Sequence, residues 1–187
     1  MASGLCLVLG GVRSGKSAFA ESKVAALPQP TLYVATGVAV DEEMYTRIQR
    51  HQRSRPAEWA TLEEPTRLAE KLGPALSASD GPGSVIIDSV DVWVANLLME
   101  RQTETKESIE RSVMADADDL LGVAAASSQA FVIVSSEVGL SLVPPEPLGR
   151  RFQDLLGMVN QKIAAAATEV FLVAAGLPIQ LKPASVE

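Results

Sequence analysis

The sequence predicts an α/β fold: a mostly parallel sheet with helices on both faces, in a single domain spanning residues 1–187. Three observations predict it. Short apolar runs rich in β-branched residues recur along the chain, each nearly continuous in hydrophobicity, as expected of strands covered on both faces. Longer stretches of helical character separate them, which is the rhythm of repeated βαβ units. The first run passes through a glycine-rich loop straight into the first helical stretch.

In order, the predicted strands are "LCLVLG" (5–10), "TLYVAT" (31–36), "SVIIDS" (84–89), "AFVIVSS" (130–136) and "EVFLVAAG" (169–176). Helices are predicted over 15–26, 41–54, 65–78, 90–127 and 148–167. For 41–54, Asp41 is a good N-cap and Glu42 and Glu43 suit the helix dipole, while Pro56 disfavours helical geometry at Arg55, so the helix should end near Ser54 or Arg55. "ASDGPGS" (78–84) and "VPPEPLG" (143–149) are the clearest loops. The charged stretch 102–119 reads as an exposed helix. After a turn at 176–178, "GLPIQLKP" adds a short final strand.

A chain of 187 residues, 47% hydrophobic and 21% charged, can bury a core without disulfides or metal staples. Its net charge of −7 provides no basic field for a phosphate polymer, so nucleic acid is not an expected partner. The single cysteine, Cys6, lies in an apolar run and reads as a buried structural thiol suited to a reducing compartment. The run "LCLVL" is too short for a signal segment, and no segment approaches 18 apolar residues. The expectation is a cytoplasmic protein with no membrane anchor.

"GGVRSGKS", Gly10 to Ser17, matches G-x-x-x-x-G-K-[ST] between a strand and a helix, the context that motif requires. The glycines let backbone N–H groups curl inward, and the helix N-terminus adds its positive end. Lys16 would reach the β and γ phosphates of a nucleotide, and Ser17 would hold Mg²⁺. The fold expected is therefore P-loop NTPase-like. The bland alternative is a glycine-rich turn with a chance lysine. Asp88, at the end of "SVIID", is a candidate Mg²⁺ partner, directly or through water; taken alone it reads equally well as a turn-forming aspartate. No N-K-x-D or L-S-G-G-Q stretch occurs, which disfavours a switch GTPase or a transport ATPase.

His51 is the only histidine. At 100° per residue, Arg47, Arg50, His51, Ser54 and Arg55 fall within about 140° of one helix face. That stripe is either a solvated face or a nucleophile beside arginines that hold phosphate oxygens. On these residues alone both readings stay open.

Six blocks, "GGVRSGKS", "YVATGVAVDEEMYTRIQRHQRSRPAEWATLEEP", "IIDSVDVWVANLL", "SSEVGLSLVP", "RRFQDLLGMVNQKIA" and "AGLPIQLK", together resemble the bifunctional adenosylcobinamide kinase and adenosylcobinamide-phosphate guanylyltransferase family of cobalamin biosynthesis. They run in the family's order over nearly the whole chain, and the "DEEM..RI..H...RP..W" block is the specific one. The resemblance implies that His51 accepts GMP from GTP, with Lys16 as the other catalytic residue. It implies nucleotide contacts from Gly10, Gly11, Val12, Arg13, Ser14, Gly15, Lys16 and Ser17. Further contacts are implied from Ala35, Thr36, Gly37, Gln52, Arg53, Ser54, Arg55, Glu63 and Asp88. Implied substrates and cofactor are GTP or ATP, adenosylcobinamide or its phosphate, and Mg²⁺ held by Ser17 and Asp88. Self-association is implied as well. The chain departs from the family pattern at Asp91 (usually threonine), Ser136 (usually asparagine), Ser141 (often glycine) and Arg50. Two other readings belong to different classes: a small-molecule P-loop kinase without guanylyl transfer, and a nucleotide-gated interaction module suggested by 102–119.

Overall fold

A computed structural model describes residues 4–38, 42, 46, 49, 52 and 56–183. Strands β1 (Leu5–Gly10), β2 (Thr31–Ala35), β3 (Ala60–Glu63), β4 (Ser84–Asp88), β5 (Ala130–Ser136), β6 (Glu169–Ala174) and β7 (Leu177–Lys182) form one sheet in the order β3-β2-β4-β5-β1-β6-β7. Every neighbouring pair is parallel except β6 with β7, which is antiparallel. Strands β1, β2, β4 and β5 are buried almost throughout, the physical reason their sequences do not alternate.

The two faces of β1 feed two cores. Leu5, Leu7 and Leu9 join a large cluster with α2 (Leu68–Leu76), α3 (Val90–Glu100), α4 (Lys106–Ala126) and α5 (Pro147–Ala166). Cys6 and Val8 pack on the other face with Ala20 and Val24 of α1 (Lys16–Ala25). Each fully buried Leu or Ile in these clusters contributes roughly 1.5–3 kcal/mol. Burial pushes the Cys6 thiol up to about 11, an effect that Lys23 opposes and Glu169 reinforces. It is an inert core thiol.

Three expectations change. The stretch 90–127 is two helices: α3 ends at Glu100, and Thr105 starts α4 by accepting a hydrogen bond from the Ser108 N–H at 3.2 Å. The charged 102–119 region is not an all-exposed helix, because Ile109, Val113 and Ala117 are buried along one side of α4. Strand β3 was not anticipated; "ATLE" is four residues long, mostly exposed, and takes its strand geometry from pairing with β2. The tail strand forms as expected. Of the predicted helix 41–54, Glu42, Thr46, Gln49 and Gln52 are helical; Asp41 and the predicted end at Ser54 or Arg55 lie outside the described residues. No helix among the described residues is long and apolar enough to cross a membrane.

Candidate active site

In this sheet the crevice beyond the carboxyl ends of the parallel strands is where ligands are expected, and the described predicted site residues converge there. Gly10 closes β1, in register with Ser136 of β5 on one side and Val173 of β6 on the other. A Cβ on Gly10 would stand 2.4 Å from Ser14 Oγ and 2.8 Å from the Val173 carbonyl, so only hydrogen fits. Gly15 caps α1 at φ +94°, in the left-handed region glycine favours, and its missing Cβ would lie 3.1 Å from Gly176 Cα. The turn after β6 braces the loop from behind, with Gly176 N–H donating to the Ser14 carbonyl at 2.8 Å.

The first helical bond of α1 runs from Phe19 N–H to the Gly15 carbonyl at 3.0 Å. The amides of Lys16, Ser17 and Ala18 precede it, and a helix start of this kind is an anion site. Lys16 Nζ donates to the Gly11 carbonyl at 3.3 Å, which holds the ammonium over the loop. Ser14 is buried, whereas Gly11, Val12 and Arg13 are exposed.

A second wall is a row of strand ends. Register pairs Ala35 with both Glu63 and Asp88, so the two carboxylates stand at one level on either side of β2. Tyr33 donates its hydroxyl to Asp88 Oδ2 at 2.7 Å and fixes that carboxylate. Thr36 is fully buried: its hydroxyl donates to the Ser89 carbonyl at 2.8 Å and accepts from the Ser89 N–H at 2.9 Å, clamping the β2 and β4 exits together. Asn96 Nδ2 donates to the Thr36 and Pro65 carbonyls at 2.9 and 3.0 Å. The Thr36 side chain is thus spent on the scaffold, and exposed Gly37 follows it. At the sheet edge Gln52 Nε2 donates to Glu63 Oε1 at 3.1 Å, joining two predicted contacts. His51, Arg53, Ser54 and Arg55 lie outside the described residues, as do Arg47 and Arg50.

The family model described as cobinamide kinase / cobinamide phosphate guanyltransferase matches residues 6–181, from β1 to the end of β7. The chain belongs to this family. It is 34% identical over 184 residues to the bifunctional adenosylcobalamin biosynthesis protein CobU of Escherichia coli (strain K12), covering 95% of this chain and 99% of that protein. Identity to the protein of the same name from Salmonella typhimurium is 36% over the same shares. With the bifunctional adenosylcobalamin biosynthesis protein CobP of Pseudomonas aeruginosa it is 36%, covering 94% and 96%.

Asp91 and Ser136, expected from the resemblance to be departures, are hydrogen-bond partners. Ser136 Oγ donates to Asp91 Oδ2 at 2.7 Å, linking the end of β5 to the first turn of α3 beside the cradle. Asn160 of α5 continues the link, accepting from Ser135 Oγ at 2.6 Å and donating to the Ser136 carbonyl at 3.0 Å. Tyr33, Asn96 and Asn160 were not foreseen as site supports. Tyr33 and Asn160 could have been suspected, because a hydroxyl or amide within an otherwise apolar buried face must find a partner.

Proposed function

We propose that this chain phosphorylates adenosylcobinamide and then transfers GMP from GTP to the resulting phosphate through a covalent GMP adduct on His51. The observation that carries the reading is the common edge: cradle, Asp88 and Glu63 lie at the carboxyl ends of parallel strands β1, β4 and β3 of one sheet, and Gln52, adjacent in sequence to His51, bonds Glu63. In the kinase step the acceptor hydroxyl oxygen bonds to the γ phosphorus of ATP or GTP. The bond from that phosphorus to the bridging oxygen breaks, the nucleoside diphosphate leaves, and the hydroxyl proton passes to solvent. Lys16 and the α1 amides hold the phosphates in place and offset their charge.

In the second reaction an imidazole nitrogen of His51 bonds to the α phosphorus and pyrophosphate leaves. A phosphate oxygen of the acceptor then displaces the imidazole, giving adenosylcobinamide-GDP and free His51. The same grip on the β and γ phosphates serves both reactions, because it leaves the α phosphorus facing outward. Ser17 and Asp88 fit Mg²⁺, since a hydroxyl and a carboxylate are the hard oxygen donors it takes. Among the described residues no cluster of three or more His, Cys, Asp or Glu could hold a metal. An ion held by the two protein donors Ser17 and Asp88 would share its coordination with nucleotide phosphates and supply charge neutralisation there.

The test uses GTP labelled in the α phosphate. Wild-type protein should retain acid-labile label after denaturation. His51→Ala should lose that label and guanylyl transfer while keeping kinase turnover within a few fold. Label persisting on the variant would assign GMP to another residue; kinase turnover with no label on wild type would leave a small-molecule kinase.

A further inference from the structure

Resting on the function proposed above, we infer that the segment following β5, from Gly139 to Val143, is the docking surface for the corrinoid ring of the acceptor. Its position starts the argument. Ser136 is in register with Gly10, and Glu137 N–H donates to the Gly10 carbonyl at 3.1 Å, so the chain leaves the sheet at the rim of the phosphate cradle. Asn160, level with Ser136, lies thirteen residues into α5, which runs back toward the start of β6. At 1.5 Å per residue, α5 therefore begins roughly 20 Å beyond the strand ends. The segment follows that projecting wall, tied to it by Gln153, and so borders the rim of the cradle.

Its polar groups are engaged by hydrogen bonds within the loop and to the helix that follows. Ser141 Oγ donates to the Val138 carbonyl at 2.6 Å, Gln153 Nε2 donates to Ser141 Oγ at 3.3 Å, and Arg150 donates to the Pro144 carbonyl at 3.0 Å. Its apolar groups are turned outward: Leu140, Leu142 and Val143 are 83%, 93% and 72% exposed. A loop tied down by hydrogen bonds and two successive prolines, yet presenting three aliphatic side chains to water, is preorganised for an apolar face and pays little ordering entropy on binding. No charged residue occurs from Val138 to Pro145, so the three aliphatic side chains suit the apolar, methyl- and amide-bearing periphery of a corrin ring and not the phosphates of a nucleotide. Phosphates then meet Lys16 and the ring meets the leucines, two chemistries on adjoining surfaces.

The test pairs Leu140→Ser with Leu142→Ser in one variant and uses Leu177→Ser, on exposed β7, as a control. Adenosylcobinamide binding is read directly by ultrafiltration from its visible absorbance, alongside kinase kinetics, thermal unfolding and sedimentation. The loop variant should bind the corrinoid at least tenfold more weakly and raise its KM equally. Kinase kcat, nucleotide KM, the unfolding midpoint and the oligomeric state should stay as in wild type, the pattern of lost uniform binding. Leu177→Ser should leave corrinoid affinity unchanged. Wild-type affinity in the loop variant would overturn the inference and leave the proposed function standing. Loop-dependent binding without turnover in the wild type would do the reverse. A weaker affinity that follows a change in oligomeric state would reassign the surface to contact between copies of this chain.

Discussion

Between β1 and α1 the cradle is fixed from three sides by backbone atoms, those of Val173, Glu137 and Gly176, whereas at the far edge of the sheet Glu63 stands on a four-residue, mostly exposed strand and is engaged by a side chain, Gln52. The difference teaches how one chain can run two reactions. In the proposed function, what both reactions would need, a grip on the β and γ phosphates, is built from main chain, and few substitutions other than at its glycines and Lys16 can reach it. What guanylyl transfer alone would need in that proposed function is supplied by side chains, which can be changed one at a time without disturbing the shared part.

Lys16→Ala should give the largest effect, because it removes the cation that the cradle holds over its phosphate site. Both kinase and guanylyl transfer should fall by about 10²–10³-fold, the usual loss for removing one preorganised charge-stabilising group. Nucleotide affinity should weaken in parallel. A variant that lost only one activity would show that the cradle serves one reaction and would break the comparison.

Gly10→Ala probes the backbone half itself. The new methyl would meet the Val173 carbonyl at 2.8 Å, a main-chain atom that cannot swing aside. Overpacking of this kind costs about 1–3 kcal/mol. At Gly11 a Cβ would meet nothing within 4 Å, so Gly11→Ala should cost less than about 0.5 kcal/mol. Denaturant unfolding of the two variants reads the contrast, and equal midpoints would mean that the loop is not held as tightly as its contacts require.

The sequence made the backbone half legible and the side-chain half much less so, for a physical reason. Strands β1, β2, β4 and β5 are covered on both faces, and that environment forces continuous apolar runs that anyone can read. The cradle is contiguous in sequence, so its spacing survives as a motif. Strand β3 left no such trace, since an exposed edge of four residues demands no particular composition. The break between α3 and α4 falls in "RQTET", which lacks glycine and proline; only the Thr105 cap marks it. Tyr33 bonds Asp88 across 55 residues and Gln52 bonds Glu63 across 11, pairings that local patterning cannot specify. The role given to His51 rests on resemblance and on chemistry, because it lies outside the described residues.

Glu63→Gln tests the side-chain half. Glutamine keeps an oxygen that can accept from Gln52 Nε2 and removes only the negative charge, so the edge of β3 should stay as it is. Guanylyl transfer should fall by about tenfold, equivalent to ~1.4 kcal/mol of transition-state stabilisation, while the kinase rate changes by less than about twofold. Parallel assays on one preparation decide it. Equal losses in both reactions would move Glu63 into the shared half.

The smallest effect is expected at the Ser136–Asp91 hydrogen bond beside the cradle. The carboxylate at 91 needs a donor, and the Ser136 hydroxyl supplies one at 2.7 Å. A double-mutant cycle with Ser136→Ala and Asp91→Ala, read by denaturant unfolding, should return a coupling of about 1 kcal/mol. The two single losses should each exceed the additional loss on making the second change, since either alone strands one partner of the bond. The pair also ties β5 to α3 at the level of Gly10, so it belongs to the scaffold of the shared half. Kinase and guanylyl transfer should therefore shift by the same factor in each variant, leaving their ratio constant. A changed ratio would mean that Asp91 or Ser136 touches one acceptor and not the other, and the boundary between the shared and the specific halves would then run through α3 instead of along β2.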